Sequence, residues 1–246
     1  MPPEAGASAL ARKPWSIDLP PAWRAAALRT GLAWLALIVL FLSDWASMAR
    51  QWWDSSTYNH ILLIPAILAW LVSQRAPQLI RIVPRPWWPG LLLAAGAMLV
   101  WVLGAFAGLT IARQTGAVGL LIASVLTLQG PRVGAALVFP MAYMRLLVPC
   151  GDELVPSLQM ITAAITIALV HLSGISANID GVFIATPVGL FEVAEACSGV
   201  KFLIAMIAFG LLVSNVCFVG WRRRVAFMAV CLAVPILANG VRAWGT

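Results

Sequence analysis

The sequence predicts an all-α polytopic membrane protein of roughly seven to eight transmembrane helices, with an interfacial or re-entrant helix and a short β-hairpin on the outer face. Of its 246 residues, 62% are hydrophobic and only 10% are charged, whereas a soluble domain usually carries roughly a quarter charged residues. Several apolar stretches approach or exceed the ~20 residues that a helix needs to cross a bilayer. So many uncharged helices exclude a soluble protein.

The net charge of +7 comes from 16 basic and 9 acidic residues. In a membrane protein such an excess usually anchors cytoplasmic loops. The basic residues also lack the interleaved aromatic side chains of a nucleic-acid groove. We therefore expect the lipid bilayer as a partner and no nucleic acid. The four cysteines form no C-x-x-C pair and there are only two histidines, so neither a metal site nor a cofactor is expected.

Residues 1–28 are polar and rich in proline and alanine, without the apolar core of a cleavable signal peptide. We interpret them as a cytoplasmic N-terminal tail, and residues 29–246 as one transmembrane domain without internal repeats. The apolar helices are predicted over residues 31–48, 58–73, 90–108, 114–129, 132–149, 200–219 and 224–244.

Three basic clusters predict the orientation of these helices. Basic residues precede the first helix within 12–29, three arginines share the proline-rich loop 75–89, and Arg222–Arg224 separate the last two helices. Because Lys and Arg are enriched in cytoplasmic loops, we expect all three clusters to face the cytoplasm. A full crossing by residues 154–174 would place Arg222–Arg224 outside.

The segment 154–174 is amphipathic, with apolar residues at helical spacing on one face. We predict an interfacial or re-entrant helix on the outer side; the alternative is a full span offset by another crossing elsewhere. In the following stretch, 175–196, Asp180-Gly181 is a turn signal and short β-prone runs flank Pro187. This pattern predicts a small outer hairpin that leads the chain to Cys197.

Cys197 directly precedes an apolar helix, within Glu195-Ala196-Cys197-Ser198-Gly199. A helix N-terminus carries partial positive charge and free N–H donors, which favour the reactive thiolate. Ser198 and Gly199 leave the backbone open, so that N–H groups could form an oxyanion hole. A cysteine beside a membrane helix is more often a small packing residue, but polar neighbours such as Glu195 favour a functional thiol.

Arg242 lies at the outer end of the last apolar helix, in Ala238-Asn239-Gly240-Val241-Arg242. Two helices joined as a hairpin return to the same membrane face, so Arg242 and Cys197 are expected at the same depth. An arginine there either snorkels to the headgroups or is functional. In the functional case its guanidinium would hold an oxyanion or a carboxylate. Asn239, one turn earlier on the same face, could orient it by a hydrogen bond.

Other candidate residues carry weaker signals. Cys217 and Cys231 are interpreted as packing residues, whereas Cys150 is either inert or a disulfide partner of Cys197 in an oxidising compartment. His60 begins the second span near the outer face and could reach the site, although such residues are more often interfacial. The outer acids could bind a basic peptide segment or simply be solvated; they are Asp152, Glu153, Glu192 and Glu195.

The order of these motifs resembles the exosortase/archaeosortase family of membrane transpeptidases, and most of all its exosortase A branch. The resemblance covers most of residues 50–246, and the Cys-Ser-Gly box followed by Asn-x-x-Arg is its most specific part. The matching pieces are Trp53 to Tyr58-Asn59-His60, Pro140, Pro149, Gly151-Asp152-Glu153-Leu154, Thr162-Ala163, Leu172-Ser173-Gly174, Gly181, Pro187, Gly189, Val193 to Gly199, Asn239 and Arg242.

The resemblance implies a catalytic cysteine, arginine and histidine. The first two fall on Cys197 and Arg242, while the family histidine belongs to a later helix, so we expect the sequence to be truncated at its C-terminus; His60 matches a different family position. The implied substrates are exported proteins with a C-terminal Pro-Glu-Pro signal, a membrane helix and a basic tail. The implied location is the bacterial inner membrane, with the active site on the periplasmic face and a role in exopolysaccharide-linked surface sorting.

Two alternatives remain open at this point. A thiol–disulfide membrane oxidoreductase would use Cys150 and Cys197 and would need both. A non-enzymatic membrane subunit of polysaccharide export would not need Cys197 at all.

Overall fold

The computed structural model describes residues 20–187 and 189–245 and shows an α-helical protein with one small sheet. Residues 1–19 of the cytoplasmic tail proposed for residues 1–28 lie outside the described residues. The helices are α1 (Pro21–Leu40), α2 (Leu42–Asp54), α3 (Ile64–Leu79), α4 (Gly90–Phe106), α5 (Thr110–Gln129), α6 (Pro131–Ala136), α7 (Val138–Met144), α8 (Val155–Leu172), α9 (Val200–Cys217) and α10 (Trp221–Trp244).

Among the described residues, six helices are long and apolar enough to cross a membrane, which confirms the polytopic α-helical class. They are Pro21–Leu40, Asn59–Leu79, Thr110–Gln129, Asp152–Leu172, Val200–Cys217 and Trp221–Trp244. Two further apolar helices, Gly90–Phe106 and Val138–Leu147, are shorter than a usual span. The predicted seven to eight spans therefore correspond to six full-length helices and two short ones.

Two predicted helices are interrupted in the structure. The first begins at Pro21 rather than 31 and breaks at Phe41, whose backbone leaves the helical region at φ −106° and ψ 33°. The segment predicted as one helix over 132–149 breaks at Leu137 and ends as a 3-10 turn, Arg145–Leu147.

The break at Leu137 has a local cause. Pro140 has no N–H to donate to the Ala136 carbonyl and its ring crowds that carbonyl. Arg75 donates to the Ala136 oxygen at 3.2 Å instead. Arg75 belongs to the last turns of α3, which continues through Pro77 to Leu79, beyond the predicted end at 73.

The main buried core lies between α2, α3, α5 and α7 and includes Met48, Ile64, Val118 and Tyr143. The Tyr143 hydroxyl donates to the Ala208 carbonyl at 3.2 Å, which connects this core to α9. The N-terminal helices thus pack against α9 from one side.

Helix α8 continues in the direction of α7 rather than turning back beside it. A Cβ added at Gly151, just before α8, would contact Ile204 of α9, and Leu158 packs with Val200 and Leu203. Further along, Thr162 is bonded to Asn239 of α10 and Ser173 to Trp244. α8 therefore runs alongside the final turns of α10. Asp152–Leu172 is long and apolar enough for a span, and these contacts fit either position, so the predicted interfacial helix stays a prediction.

The predicted hairpin is part of a three-stranded antiparallel sheet in the order β1 (Asn178–Asp180), β2 (Phe183–Thr186) and β3 (Gly189–Glu192). Asp180 pairs with Phe183 across the turn at Gly181, whose φ is +62°. One face of the sheet packs on α8, where Ala163, Ile184 and Val193 share a buried cluster. The sheet therefore sits on α8 and leads the chain from β3 to Cys197.

Candidate active site

Cys197 ends a short 3-10 turn, Glu195–Cys197, between β3 and α9. Gly199 follows in the left-handed region at φ +76° and forms the N-cap of α9, which begins at Val200. The Cys197 side chain is half-buried, whereas Ser198 is buried. The cysteine therefore lies where the sequence predicted it, next to the N-terminus of an apolar helix.

The side chain of Asn239 links residues 195–199, here called the cysteine loop, to α8 and to Arg242. Its Nδ2 donates to the Cys197 carbonyl at 2.6 Å and to Thr162 Oγ1 at 3.0 Å. Its Oδ1 accepts from an Arg242 terminal nitrogen at 3.0 Å. Asn239 and Thr162 are buried, at 4% and 2% exposure. One amide thus joins three segments that are distant in sequence and holds Cys197 and Arg242 at the same end of the α9–α10 hairpin.

Arg242 is exposed and lacks an acidic partner among the described residues. Apart from Asn239, it has a cation–π contact, with its guanidinium carbon 5.9 Å from the centroid of the Phe202 ring. The Lys201 ammonium lies 5.4 Å from the same ring. Two cations therefore contact one ring in the first turn of α9, which suits the binding or stabilisation of an anion.

Two glycines allow the close approach of these segments. A Cβ at Gly199 would lie 2.7 Å from Asn239 Cγ, which is closer than real Cβ atoms come. A Cβ at Gly240 would collide with the Ile165 side chain of α8. Gly199 also needs its positive φ, so it is constrained by both backbone conformation and space.

The backbone around Cys197 is less open than the sequence indicated. The Cys197 N–H donates to the Ala194 carbonyl at 2.8 Å and the Ser198 N–H to the Glu195 carbonyl at 3.0 Å. The Val200 N–H is 3.5 Å from Ser198 Oγ. In the described part of the chain, the Lys201 N–H has no hydrogen-bond acceptor. An oxyanion would thus find its donors in Arg242 and the first turn of α9, and the two amides nearest the thiol are already used.

The remaining candidates lie around this centre without joining it. Glu195 is exposed on the cysteine loop. His60 lies in the 3-10 turn Asn59–Leu63, with Nδ1 3.1 Å from the Thr57 carbonyl; within the described residues it has no hydrogen bond to Cys197, Asn239 or Arg242. All four cysteines are free, including Cys150.

Cys150 has acidic neighbours rather than basic ones. Partial burial, followed by Glu153 and Asp152, raises the pKa of its thiol. Burial and the 2.8 Å hydrogen bond from the Tyr58 hydroxyl to Asp152 likewise raise the pKa of Tyr58. The outer acids therefore divide into two groups, one beside Cys150 and one, Glu192 and Glu195, on the sheet and the cysteine loop.

An apolar groove of about 310 Å³ between α9 and α10 ends at Asn239 and Arg242. Phe202, Met206 and Pro235 contribute to its walls.

The sequence analysis gave no site role to Phe202 or Thr162. Thr162 and Thr166 are four residues apart in an apolar helix, and both are buried. Two hydroxyls at this spacing lie on one face of the helix, and this pattern in the sequence could have predicted a polar contact there.

The fold and the site together define a polytopic membrane protein that presents a thiol, an amide and a guanidinium at one end of a helical hairpin. A family model described as transmembrane exosortase (exosortase EpsH) matches residues 52–246. The match covers most of the chain and every residue of the site, and the chain belongs to the transmembrane exosortase family. Comparisons with curated proteins and with solved structures found no match.

Proposed function

We propose that this protein is a membrane-embedded cysteine transpeptidase that cleaves the C-terminal Pro-Glu-Pro sorting signals of exported proteins. The observation that carries the proposal is the hydrogen bonding of Asn239 to both the Cys197 carbonyl and Arg242. This amide links the backbone of the residue that carries the thiol nucleophile to an exposed cation, which has no acidic partner among the described residues. That pairing suits acyl transfer, because a cation lowers the energy of the anionic tetrahedral intermediate.

The reaction begins when the Cys197 thiolate attacks the carbonyl carbon of the scissile peptide bond, forming a C–S bond and a tetrahedral oxyanion. The oxyanion collapses, the C–N bond breaks and the leaving amine takes up a proton, a role that the resemblance gives to a histidine. The released fragment carries the membrane helix and the basic tail. A second nucleophile then attacks the thioester and regenerates the thiol: an amine gives transfer to a new anchor, and water gives hydrolysis.

In this proposal Arg242 stabilises the oxyanion or the thiolate. Its hydrogen bond to Asn239 uses one terminal nitrogen, which leaves other N–H donors of the guanidinium for the substrate. Asn239 acts as a positioning residue, since it bonds to the carbonyl of Cys197 rather than to reacting atoms.

The apolar groove between α9 and α10 suits a substrate that has a membrane helix. It runs along residues Phe202, Met206 and Val234 and ends at Arg242. A substrate helix packed there would bring the peptide segment that follows or precedes it to the level of Cys197. We place this step on the periplasmic face of the bacterial inner membrane, where exported proteins linked to exopolysaccharide would be sorted.

The test uses the gene in its host together with a tagged substrate that carries a Pro-Glu-Pro signal. We expect Cys197→Ala to leave the substrate uncleaved on a gel, whereas Cys150→Ser processes it like the wild type. Loss of processing in Cys150→Ser as well would favour the oxidoreductase that needs both thiols. Normal processing in Cys197→Ala would favour a non-enzymatic export subunit. Equal membrane levels of the variants, measured by immunoblot, are the control.

A further inference from the structure

A second cavity lies at the opposite end of the hairpin, where α9 ends at Cys217 and α10 begins at Trp221. It has a volume of about 430 Å³ and is bounded by α7, α9 and α10. Its polar lining consists of Ser214, Asn215 and Arg224, and its apolar lining includes Phe139, Met228 and Leu232. The site of acyl transfer uses none of these residues.

Ser214 has an unsatisfied hydroxyl on this cavity. The residue is only 5% exposed, and its Oγ has no hydrogen-bond partner in the described part of the chain. A buried hydroxyl without a partner destabilises a protein. A ligand oxygen that entered the cavity would remove this cost.

Arg224 supplies a fixed positive charge. Its Nε donates to the Phe218 carbonyl at 2.7 Å, which anchors the guanidinium beside the α9–α10 turn. Its terminal nitrogens have no hydrogen-bond or carboxylate partner among the described residues. Arg222 and Arg223 precede it, so the field at this end of the hairpin is strongly positive.

The polarity of the cavity changes with depth. Asn215 and Arg224 lie within a turn of the helix ends, whereas Met228 and Leu232 lie one and two turns further along α10. Both helices are candidate spans, so we expect the polar part at a membrane surface and the apolar part in the hydrocarbon region. A phospholipid has the same order of groups, with a phosphate at the surface and acyl chains below it.

We propose that this cavity binds one anionic phospholipid. Arg224 would hold its phosphate by charge-assisted hydrogen bonds, with Ser214 Oγ and the Asn215 amide as further donors. An acyl chain would lie along Met228 and Leu232. Basic pockets between membrane helices are known places for anionic headgroups, and here the unsatisfied Ser214 hydroxyl adds a second reason for a ligand oxygen.

The test is native mass spectrometry of the purified full chain, with phosphatidylglycerol titrated into the detergent. We expect the wild type to retain one tightly bound phosphatidylglycerol, and Arg224→Gln to bind it roughly tenfold or more weakly. Arg223→Gln is the matched control, because it removes the same charge from the same turn but does not line the cavity; it should bind like the wild type. Equal weakening in both arginine variants would leave only a general charge effect and overturn the proposal.

Ser214→Ala provides a second variant with a separate structural readout. Without lipid it should be at least as thermally stable as the wild type, because it removes an unpartnered hydroxyl. With phosphatidylglycerol it should gain less stability than the wild type does, and an equal gain would show that the headgroup does not reach Ser214 and would overturn the site.

Other ligands complete the test. Phosphatidylcholine that binds as tightly as phosphatidylglycerol, or inorganic phosphate that stabilises the protein as much, would overturn the assignment of an anionic lipid. Displacement of the lipid by an apolar helical peptide, without any effect of Arg224→Gln, would indicate a protein partner instead. None of these readouts depends on peptide processing, so they stand apart from the proposed reaction.

Discussion

Two arginines at membrane helices of this protein have opposite surroundings. Arg113 of α5 is paired with Asp44 of α2 at 2.9 Å and lies 5.7 Å from the ring centroid of Trp101, whose indole nitrogen donates to the same carboxylate. Arg242 of α10 has the amide of Asn239 and the ring of Phe202, and the described residues offer it no carboxylate. Both arginines have an aromatic ring and an oxygen acceptor, but only Arg113 is neutralised.

We propose that this difference separates a structural role for Arg113 from a functional role for Arg242. Asp44 is buried at 2% exposure, so Arg113 balances a charge that the fold itself has placed between α2, α4 and α5. Arg242 keeps its positive charge and is linked through Asn239 to the backbone of Cys197. A charged residue at membrane depth is retained when it is paired or when it serves a substrate. Arg113 is an example of the first case, and we propose Arg242 as an example of the second.

The largest expected effect comes from exchanging each arginine for glutamine. Arg242→Gln should lower the rate of substrate processing by at least ~10²-fold, because it removes the cation nearest the developing oxyanion, and should change thermal stability little. Arg113→Gln should lower the free energy of unfolding by roughly 3 kcal/mol, since it leaves the carboxylate of Asp44 buried without its charged partner. Processing rates per folded molecule and thermal unfolding in detergent measure the two effects.

The prediction is contradicted if the two variants show each other's expected effects. If Arg113→Gln lost processing at full stability, or Arg242→Gln unfolded the protein, the assignment of the two roles would be wrong. The double variant Asp44→Asn with Arg113→Gln removes both charges and should recover part of the lost stability.

The next effect concerns the amide that connects Arg242 to the cysteine loop. Asn239→Ala removes the bonds to the Cys197 carbonyl, Thr162 and Arg242 together, and should lower the processing rate about 10²-fold through misplacement of the reacting groups. Thr162→Val removes only one of these bonds in a similar volume and should cost about fivefold. A rate for Thr162→Val as low as that for Asn239→Ala would mean that the position of α8, rather than the Asn239 link, governs the site.

Much of this site was predictable because helix connectivity is simple. Cys197 before one apolar helix and Arg242 near the end of the next must return to the same end of a hairpin, and Asn239 falls one turn before Arg242. The hydrogen bond expected between Asn239 and Arg242 is present. The catalytic roles of Cys197 and Arg242 stay predictions.

The rest depends on contacts between segments that periodicity does not reveal. Thr162 meets Asn239 only because α8 runs along the end of α10, and no local pattern sets that packing. Strand β1 has three residues, Asn178–Asp180, too few for an alternating pattern, and exists through its pairing with β2. The break at Leu137 was within reach of the sequence, because Pro140 disfavours the helix one turn before it.

A smaller effect is expected at the glycine that lets the cysteine loop approach α10. Gly199 and Gly174 have almost the same φ, +76° and +79°, but a Cβ at Gly174 meets nothing within 4 Å. Alanine at either position should therefore lower the free energy of unfolding by about 1 kcal/mol through backbone strain. Only Gly199→Ala should also displace Asn239 and slow processing by roughly tenfold. Equal processing by the two variants would show that the close contact between Gly199 and Asn239 is not needed.

The smallest effect extends the contrast from arginines to thiols. The backbone of Cys197 is linked through Asn239 to Arg242, whereas burial and the carboxylates of Glu153 and Asp152 raise the pKa of Cys150. A raised pKa means less thiolate at a given pH, so alkylation of Cys150 by iodoacetamide at pH 8 should be slow and should accelerate at higher pH. Glu153→Gln removes the larger of the two carboxylate effects, lowers the pKa towards its ordinary value and should speed the labelling. Site-resolved mass spectrometry measures the rate, with the exposed Cys217 as the reference in the same sample. An unchanged labelling rate at Cys150 would mean that burial alone raises the pKa of this thiol. The neighbouring carboxylates would then not contribute to the difference between the two cysteines.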